Sequence, residues 1–244
     1  MEAVPNIEEK EQEEVIATDE AKDVNDTEVS NEENVQISEE LERPVMRKNL
    51  PRIAKFEKVS FEEFCRIYKP LYIENQKAIL QMNGQEVDDD VFAYNEAEFI
   101  EVATSLYDNI SLPVRSTMGS AGYDFKFPFG RTELVPGGTV TVPTGIKCII
   151  EEGWVLMEFP RSSLGFNYRI QLDNTVGIID SDYYNNSRNE GHIMIKITND
   201  SRSGQTCIFE QGSRFCQGIF LPFGITWDDD VTEERIGGLG STGK

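Results

Sequence analysis

The sequence contains little of what most metal and nucleophile sites are built from. It has one histidine, His192, among 244 residues, which excludes a three-histidine zinc site and leaves a single residue for any Ser-His-Asp triad. The four cysteines, Cys65, Cys148, Cys207 and Cys216, show no C-x-x-C spacing. We therefore predict reduced, mostly buried thiols of a cytosolic protein.

Long apolar runs and positive charge are also scarce. No run approaches the length of a transmembrane helix, and the N-terminus lacks the basic start and apolar core of a signal peptide, so we expect a cytoplasmic protein. The formal net charge of −21 argues against nucleic-acid binding. In "GHIMIKITN", the apolar Ile193, Ile195 and Ile197 alternate with His192, Met194 and Lys196. This pattern predicts that His192 lies on the strand face opposite to the isoleucines and takes no part in catalysis.

The acidic residues are concentrated at the N-terminus. Residues 1–43 hold 16 acidic and three basic residues and contain no aromatic residue. This composition predicts a disordered acidic tail, because such a chain cannot bury enough apolar surface to fold. The tail would serve solubility or, alternatively, dock a basic protein partner.

Residues 44–110 carry helix signals. Ser60 with Glu63, and Asn95 with Glu98, have the spacing of N-terminal capping boxes. Pro70 is predicted to start a short helix that ends near residue 84. We therefore predict a small helical N-terminal region.

Residues 111–232 predict an all-β domain. "TVTV", "GWVLMEF", "TCIFE" and "FCQGIFLPF" are short, β-rich and separated by turn residues, as in a sandwich or barrel. Residues 233–244 form the expected flexible C-terminal arm. From Gly238 the arm fits G-x-x-x-x-G-K, but it lacks the strand and helix of a P-loop. We expect a glycine-rich tail that can still grip phosphate.

Five stretches combine glycine, small hydroxyl and charged residues, as loop-borne sites do. They are AGYDF (121–125), PRSSLG (160–165), DNTVGIIDSDYYNN (173–186), GSRFCQGIF (212–220) and GGLGSTGK (237–244). Arg161 is a fork-shaped donor suited to phosphate, and Ser162 and Ser163 add hydroxyl and backbone donors. Asp124 supplies a hard oxygen of the kind that accompanies Mg²⁺ on a substrate's phosphates.

A carboxylate is expected at the end of the apolar run "VGII". Asp180 follows that run directly, where a rigid hairpin can hold a base against water. Asp180 and Asp182 would share one face of an extended strand, either as a functional pair or as two solvent-facing charges. Together with the phosphate donors and the metal-compatible Asp124, these carboxylates predict a site at which water attacks a nucleoside polyphosphate.

The five stretches, in this order and at these separations, resemble the trimeric dUTPase family over about residues 111–244. The "NTVGIIDSDYYNN" stretch is similar to enzymes of phages and Gram-positive bacteria. The resemblance implies an all-β, jelly-roll-like subunit in a homotrimer with active sites at subunit boundaries. It also implies Mg²⁺ on the triphosphate and hydrolysis of dUTP to dUMP and pyrophosphate, which removes dUTP and supplies the dTMP precursor.

The resemblance also implies roles for individual residues. Asp180 matches the general base that activates water for attack on the α-phosphorus. Tyr183 matches the ring that packs under deoxyribose and leaves no room for a 2′-hydroxyl. Asp124 matches the carboxylate that organises the metal's water shell. The residues matching the uracil-reading hairpin are Asn174, Gly177 and Ile179, and those matching phosphate contacts are Arg161, Ser162, Ser163 and Gln217.

The C-terminal arm resembles the family's fifth motif, which closes over a neighbouring subunit's substrate. The matching substrate contacts are Arg235, Leu239, Gly240, Ser241 and Thr242. Two departures stand out. Leu239 replaces the aromatic residue that stacks on uracil, and "RIGG" has one residue fewer between the arginine and the glycine pair than the common form.

Two alternatives remain open from the sequence. One is a dCTP deaminase on the same fold, which the intact "GIIDSDY" and terminal "GSTG" disfavour. The other is a catalytically weak regulatory homologue that binds a protein partner, which the presence of Asp180 and Tyr183 disfavours.

Overall fold

Short strands dominate the part of the chain that the computed structural model describes, which is residues 50–88, 92–233, 235, 237 and 238. The strands, β1 to β12 in chain order, are Ala54–Lys58, Val114–Arg115, Tyr123–Lys126, Thr132–Leu134, Thr139–Pro143, Ile146–Ile150, Trp154–Pro160, Ile170–Leu172, Gly177–Ile179, Met194–Asn199, Cys207–Phe209 and Arg214–Pro222. The helices are α1 (Phe61–Met82), α2 (Glu96–Asn109) and α3 (Ser162–Tyr168). The predicted acidic tail lies outside the described residues.

The strands form four antiparallel sheets. The largest has the order β2-β3-β12-β7-β9, a second has the order β5-β10-β8, and two pairs are β1-β6 and β11-β4. Buried side chains alternate along β6 and β10, as in Ile146, Cys148 and Ile150, because successive residues of a strand point to opposite faces. The inner faces meet in one core that includes Phe125, Leu156 and other buried residues. The predicted all-β fold is confirmed.

The helix starts predicted at Ser60 and Asn95 are confirmed. Ser60 Oγ accepts from the amide of Glu63 at 3.0 Å, and Asn95 Oδ1 accepts from the amides of Ala97 and Glu98. These side chains satisfy amides that lack an intrahelical partner in the first turn. Capping is therefore encoded locally at both helices.

Two expectations for the N-terminal region were wrong. Residues 54–58 form strand β1, whose alternation places Phe56 in the core while the strand pairs with β6 from Ala54↔Ile150 to Lys58↔Ile146. Pro70 lies inside α1 and does not start a helix. Its ring removes one helical hydrogen bond, but Pro70 is exposed, so the carbonyl that loses its partner can be solvated.

His192 is buried, contrary to the prediction of an outward face. It precedes β10, is 0% exposed, and accepts the amide of Gly145 through Nε2 at 2.8 Å. Its Nδ1 has no hydrogen-bond partner among the described residues and lies 3.6 Å from Glu63 Oε1. Burial lowers the pKa of His192 to about 4, so the ring is neutral near pH 7 and acts as a structural acceptor.

The cysteines agree with the predicted free and mostly buried thiols. All four cysteines are free, with Cys148, Cys207 and Cys216 buried and Cys65 partly buried. Burial raises the pKa of Cys148 to about 12, which keeps that thiol unreactive. Within the described ranges, none of the helices has the length and apolar character needed to span a membrane.

Candidate functional site

Asp180 stands at the end of β9, just before a short 3₁₀ turn formed by Ser181–Tyr183. Arg235 binds both neighbouring carboxylates: Nη2 lies 2.5 Å from Asp180 Oδ2, and Nε lies 2.7 Å from Asp182 Oδ1. The expected extended strand through 180–182 was therefore wrong, because the backbone turns after Asp180. The two carboxylates nevertheless converge on one guanidinium.

The Tyr183 ring is held by hydrogen bonds at its hydroxyl. That hydroxyl donates to the carbonyl oxygen of His192 at 3.0 Å and accepts from Asn189 Nδ2 at 2.7 Å. Asn186 Nδ2 donates to the Tyr183 carbonyl at 2.8 Å. Burial raises the pKa of Tyr183, so the phenol remains protonated. These contacts fix both the ring and its backbone.

Residues 184–192 form the loop that supplies these contacts. Asn189 Oδ1 accepts from Asn186 Nδ2 at 2.7 Å and from the Gly191 amide at 3.2 Å. Gly191 has φ +79°, and a Cβ there would lie 2.6 Å from the Tyr183 carbonyl oxygen, so only glycine fits. The loop is braced by α1, since Glu190 accepts from the Ser60 amide at 3.0 Å. The N-terminal helix thus supports the Tyr183 site.

The described arm residues lie against the same tyrosine. Arg235 Cζ is 5.9 Å from the centroid of the Tyr183 ring, within the range of a cation–π contact. A Cβ added at Gly238 would clash with that ring. Whereas the family resemblance implies an arm that reaches a neighbouring subunit, in this single chain Arg235 and Gly238 contact Tyr183 of the same chain.

A cavity of about 80 Å³ opens beside Asp180 and Tyr183. Its lining residues are Glu158, Asn174, Gly177, Ile178, Ile179, Asp180, Tyr183, Met194 and Arg235. Glu158 is 1% exposed, and its Oε1 has no hydrogen-bond partner among the described residues. Burial raises the pKa of Glu158 to about 8, so this carboxyl is mainly protonated at pH 7.

A second polar cluster surrounds Asp124. Asp124 is buried; its Oδ1 lies 2.9 Å from Arg161 Nε, and its Oδ2 accepts from Ser116 Oγ at 2.7 Å and lies 3.4 Å from Arg214 Nη1. Gln217 is opposite Asp124 in the β3–β12 ladder and donates to the Pro160 carbonyl at 3.2 Å. Residues of the AGYDF, PRSSLG and FCQGIF stretches therefore meet here.

The two clusters lie apart within one chain. Ile179, next to Asp180, pairs with Leu156 of β7, whereas Arg161 follows the far end of that strand. Five residues of extended chain between Leu156 and Arg161 span roughly 16 Å. The structure therefore brings together Asn174, Gly177, Ile179, Asp180, Tyr183 and Arg235 in one group, and Asp124, Arg161 and Gln217 in another.

The remaining predicted residues divide between exposed positions and residues outside the described set. Ser162 and Ser163 are exposed at the start of α3, and Asn174 is exposed in the turn before β9. That turn does not close a hairpin, because β8 pairs with β10 whereas β9 pairs with β7. Leu239, Gly240, Ser241 and Thr242 lie outside the described residues.

Three residues of the two clusters, Glu158, Asn189 and Arg214, were not predicted from the sequence. Glu158 was detectable as the one charged residue of "GWVLMEF", two positions from Leu156 and so on the same inward face. Asn189 and Arg214 carried no such signal, since their partners come from distant parts of the chain. The period of a strand can reveal a charged residue on its buried face, but it cannot reveal a hydrogen bond between residues that are distant in the sequence.

Comparisons with known proteins identify a family for the β-rich part of the chain. A family model described as dUTPase matches residues 108–243. The deoxyuridine 5'-triphosphate nucleotidohydrolase of Lactococcus lactis is 42% identical over 147 residues, which is 59% of this chain and 95% of the relative. The enzyme of that name from Escherichia coli K12 is 38% identical over 140 residues, covering 54% of this chain and 87% of the relative.

Solved structures of similar proteins carry the same description. The crystal structure of dUTPase from Streptococcus mutans shares 45% identity, covers 49% of this chain and 90% of that one, and has a TM-score of 0.43. A mutant dUTPase from phage phi11 of Staphylococcus aureus, reported with the coordination of a structural Mg(II) ion, shares 19% identity. It covers 52% of this chain and 92% of that one, with a TM-score of 0.41.

The family match covers the strands that carry both polar clusters. It spans residues 108–243, more than half of the chain, and the Lactococcus relative is matched over 95% of its length. The chain belongs to the dUTPase family.

Proposed function

We propose that this chain hydrolyses dUTP to dUMP and pyrophosphate, with Asp180 as the general base. The observation that carries the proposal is the position of the Asp180 carboxylate at a cavity lined by Asn174, Gly177 and Tyr183. The relatives from Lactococcus and E. coli bear the name of this activity. Hydrolysis would remove dUTP and supply the precursor of dTMP.

In this proposal Asp180 accepts a proton from the attacking water. The water oxygen bonds to the α-phosphorus, the bond to the bridging oxygen of the β-phosphate breaks, and pyrophosphate leaves. The Asp180 side chain is 44% exposed, which gives water access to it. Arg235 now occupies Asp180 Oδ2 and would move onto the triphosphate, which offers it more negative charge.

In this proposal the edge of strand β9 recognises the uracil ring of the substrate. In the part of the chain that the structure describes, this strand stands at the end of the five-stranded sheet, where it pairs with β7. Gly177 and Ile179 of this strand line the cavity together with the exposed Asn174, and in this proposal their backbone groups bind the uracil edge. Such backbone donors and acceptors discriminate strongly, because a wrong base leaves them unpaired.

The sugar packs against Tyr183, whose ring excludes a 2′-hydroxyl. The phosphates would be bound by Arg161, Ser162, Ser163 and Gln217, together with Arg235. The arm residues Leu239, Gly240, Ser241 and Thr242 stay in the proposal as contacts that cover the bound nucleotide. Leu239 lacks an aromatic face for stacking, which is worth roughly 1–3 kcal/mol per base, so closure would be weaker.

The proposed enzyme is a homotrimer with shared active sites. The roughly 16 Å of strand between Leu156 and Arg161 separates Asp180 from the phosphate-binding Arg161 of the same chain, which supports an active site completed by a second chain. The segment after β12 supports association, because Phe223, Ile225 and Trp227 are exposed in the isolated chain. Such apolar surface is typical of subunit interfaces.

Mg²⁺ enters the proposal as the ion that accompanies the triphosphate and neutralises its charge. Asp124 does not fit a direct metal ligand here, because Arg161, Ser116 and Arg214 engage both of its oxygens. Asp124 stays in the proposal as an indirect contact that reaches the metal through water, and it also holds the guanidinium groups of Arg161 and Arg214. No cluster of three or more His, Cys, Asp or Glu side chains suited to a metal occurs among the described residues.

Pyrophosphate release with Mg²⁺, measured separately from dUTP, dTTP, dCTP and UTP, tests this function. We expect rapid release from dUTP alone, from a preparation whose sedimentation mass equals three chains. Ammonia released from dCTP would instead indicate a deaminase. No release from any substrate by such a trimer would contradict the proposal and favour a regulatory homologue.

Replacing Asn189 is expected to weaken sugar discrimination. Asn189→Ala removes the donor to the Tyr183 hydroxyl and the acceptor for Gly191, so the ring loses its fixed position. A lost hydrogen bond is worth roughly 1 kcal/mol, so we expect the ratio of kcat/KM for dUTP over UTP to fall about 5- to 10-fold. Arg188→Ala, an exposed position of the same loop, is the control, and an unchanged ratio in Asn189→Ala would show that Tyr183 is held otherwise.

A further inference from the structure

Glu158 is an unusual residue for the interior of a β sheet. It lies on β7, on the inward face shared with Leu156, and both are at most 1% exposed. No hydrogen bond among the described residues reaches its Oε1. Buried carboxyl groups are normally paired, because an unsatisfied polar group in the interior is destabilising. The Oε1 atom is therefore available to a group that enters the adjacent cavity.

No ion pair joins Glu158 to a cation among the described residues, and burial is the cause that raises its pKa. Cys148 on β6 and Cys216 on β12 each feel its charge, as does Tyr183 in the 3₁₀ turn, and each of these pKa values is raised by it as well as by burial. Across the cavity, Arg235 is taken up by Asp180 and Asp182. Glu158 is thus kept protonated, as a neutral acid with one donor and one acceptor.

The Glu158 carboxyl lies against the strand that lines the cavity. Glu158 pairs with Gly177 in the β7–β9 ladder. A Cβ at Gly177 would lie 2.5 Å from Glu158 Oε2 and 3.0 Å from its Cβ, so the absence of a side chain at Gly177 makes room for this carboxyl. Glu158 also lines the cavity of about 80 Å³, a volume too small for a whole nucleotide.

We propose that Glu158 is a substrate-binding residue of the base pocket, whose carboxyl group hydrogen-bonds the pyrimidine edge. The proposal rests on the proposed dUTP hydrolysis. A neutral carboxyl presents an O–H donor beside a C=O acceptor. Uracil presents a carbonyl acceptor beside its N3–H donor, so the two edges match. A carboxylate has acceptors only and would repel the uracil carbonyl.

The proposed role predicts different values of KM for dUTP in two variants of Glu158. Glu158→Gln keeps a donor beside an acceptor at every pH, so we expect a KM for dUTP within about 3-fold of wild type at pH 7. Glu158→Leu removes both groups, and we expect its KM to rise about tenfold with kcat changed less than about 3-fold. Met157→Leu, on the opposite face of β7, is the matched control and should behave as wild type.

The pH dependence gives a second readout. In wild type, KM for dUTP should rise as the pH passes about 8, because Glu158 ionises there, whereas the Glu158→Gln profile should lack this rise. Loss of the uracil N3 proton at higher pH is common to all variants and cancels in their ratio. A wild-type KM in folded Glu158→Leu, or the same rise retained in Glu158→Gln, overturns the proposal even if one variant fails to fold.

Calorimetric binding of dUMP distinguishes this inference from the proposed function. Binding of dUMP that weakens in Glu158→Leu without dUTP turnover in wild type would support the base-pocket role and reject the hydrolysis. Turnover of dUTP with dUMP affinity equal in all variants would retain the hydrolysis and reject the role of Glu158. Failure of wild type both to bind dUMP and to turn over dUTP rejects the two together.

Discussion

Asp180→Asn is expected to lower kcat for dUTP by about 10³-fold while leaving nucleotide binding nearly intact. The carboxamide has nearly the same shape as the carboxylate but cannot accept a proton from water, and a placed general base contributes roughly 10²- to 10⁴-fold. Binding should change little, because the remaining cavity residues are unaltered. Single-turnover pyrophosphate release and calorimetric binding of a non-hydrolysable dUTP analogue measure the two quantities.

Asp182→Asn is the matched control for this experiment. Asp182 binds the same Arg235 through Nε at 2.7 Å, but it does not line the cavity. If Asp180 acts only by anchoring the arm, both variants should lose similar activity. If Asp180 is the base, Asp182→Asn should retain most turnover. Near-wild-type turnover by Asp180→Asn would remove Asp180 from the base role.

Phe64→Ala is expected to destabilise the fold by about 3–5 kcal/mol, the usual range for a buried phenylalanine. Although Phe64 belongs to helix α1, it is 0% exposed and packs with Tyr68 and Tyr107 at ring-centroid distances of 5.7 Å. It shares one core with strand residues such as Ile146. Since a domain is stable by roughly 5–15 kcal/mol in all, the variant should be close to unfolding.

Urea unfolding at a fixed protein concentration measures this effect, since association stabilises the folded chain. Met82→Ala, at the end of the same helix and 87% exposed, serves as the control and should change stability by less than about 0.5 kcal/mol. Equal stability of the two variants would mean that α1 is an independent attachment and does not belong to the β core.

The local features of this fold could be read from the sequence, and the tertiary ones could not. Ser60 and Asn95 were found as helix caps because a cap depends on residues three positions away. Strand β1 was missed because five residues carry a weak alternation and its partner, Ile146–Ile150, is remote in the chain. The burial of His192 likewise depends on Gly145 and Glu63, which local periodicity does not address.

The candidate site follows the same division. Asp180 and Tyr183 were identified from an ordered set of motifs, because their neighbours in sequence are part of the signal. The Arg235 bridge between Asp180 and Asp182 depends on a segment that is distant in the sequence. Asn189 was missed for the same reason, although it contacts Tyr183 directly.

The pairing of β1 with β6 has a consequence for synthesis of the protein. Ala54–Lys58 is synthesised long before its partner Ile146–Ile150. Phe56 therefore stays exposed to water until β6 has been made, whereas the helices α1 and α2 can form earlier from local contacts. Lys55 and Lys58 lie close to Phe56 in the sequence, and such charges disfavour pairing of an unpaired edge strand with another chain. The β1–β6 pair can therefore form only after residues 146–150 have been synthesised, and we expect its rate of formation to depend on closure of the long loop between the two strands.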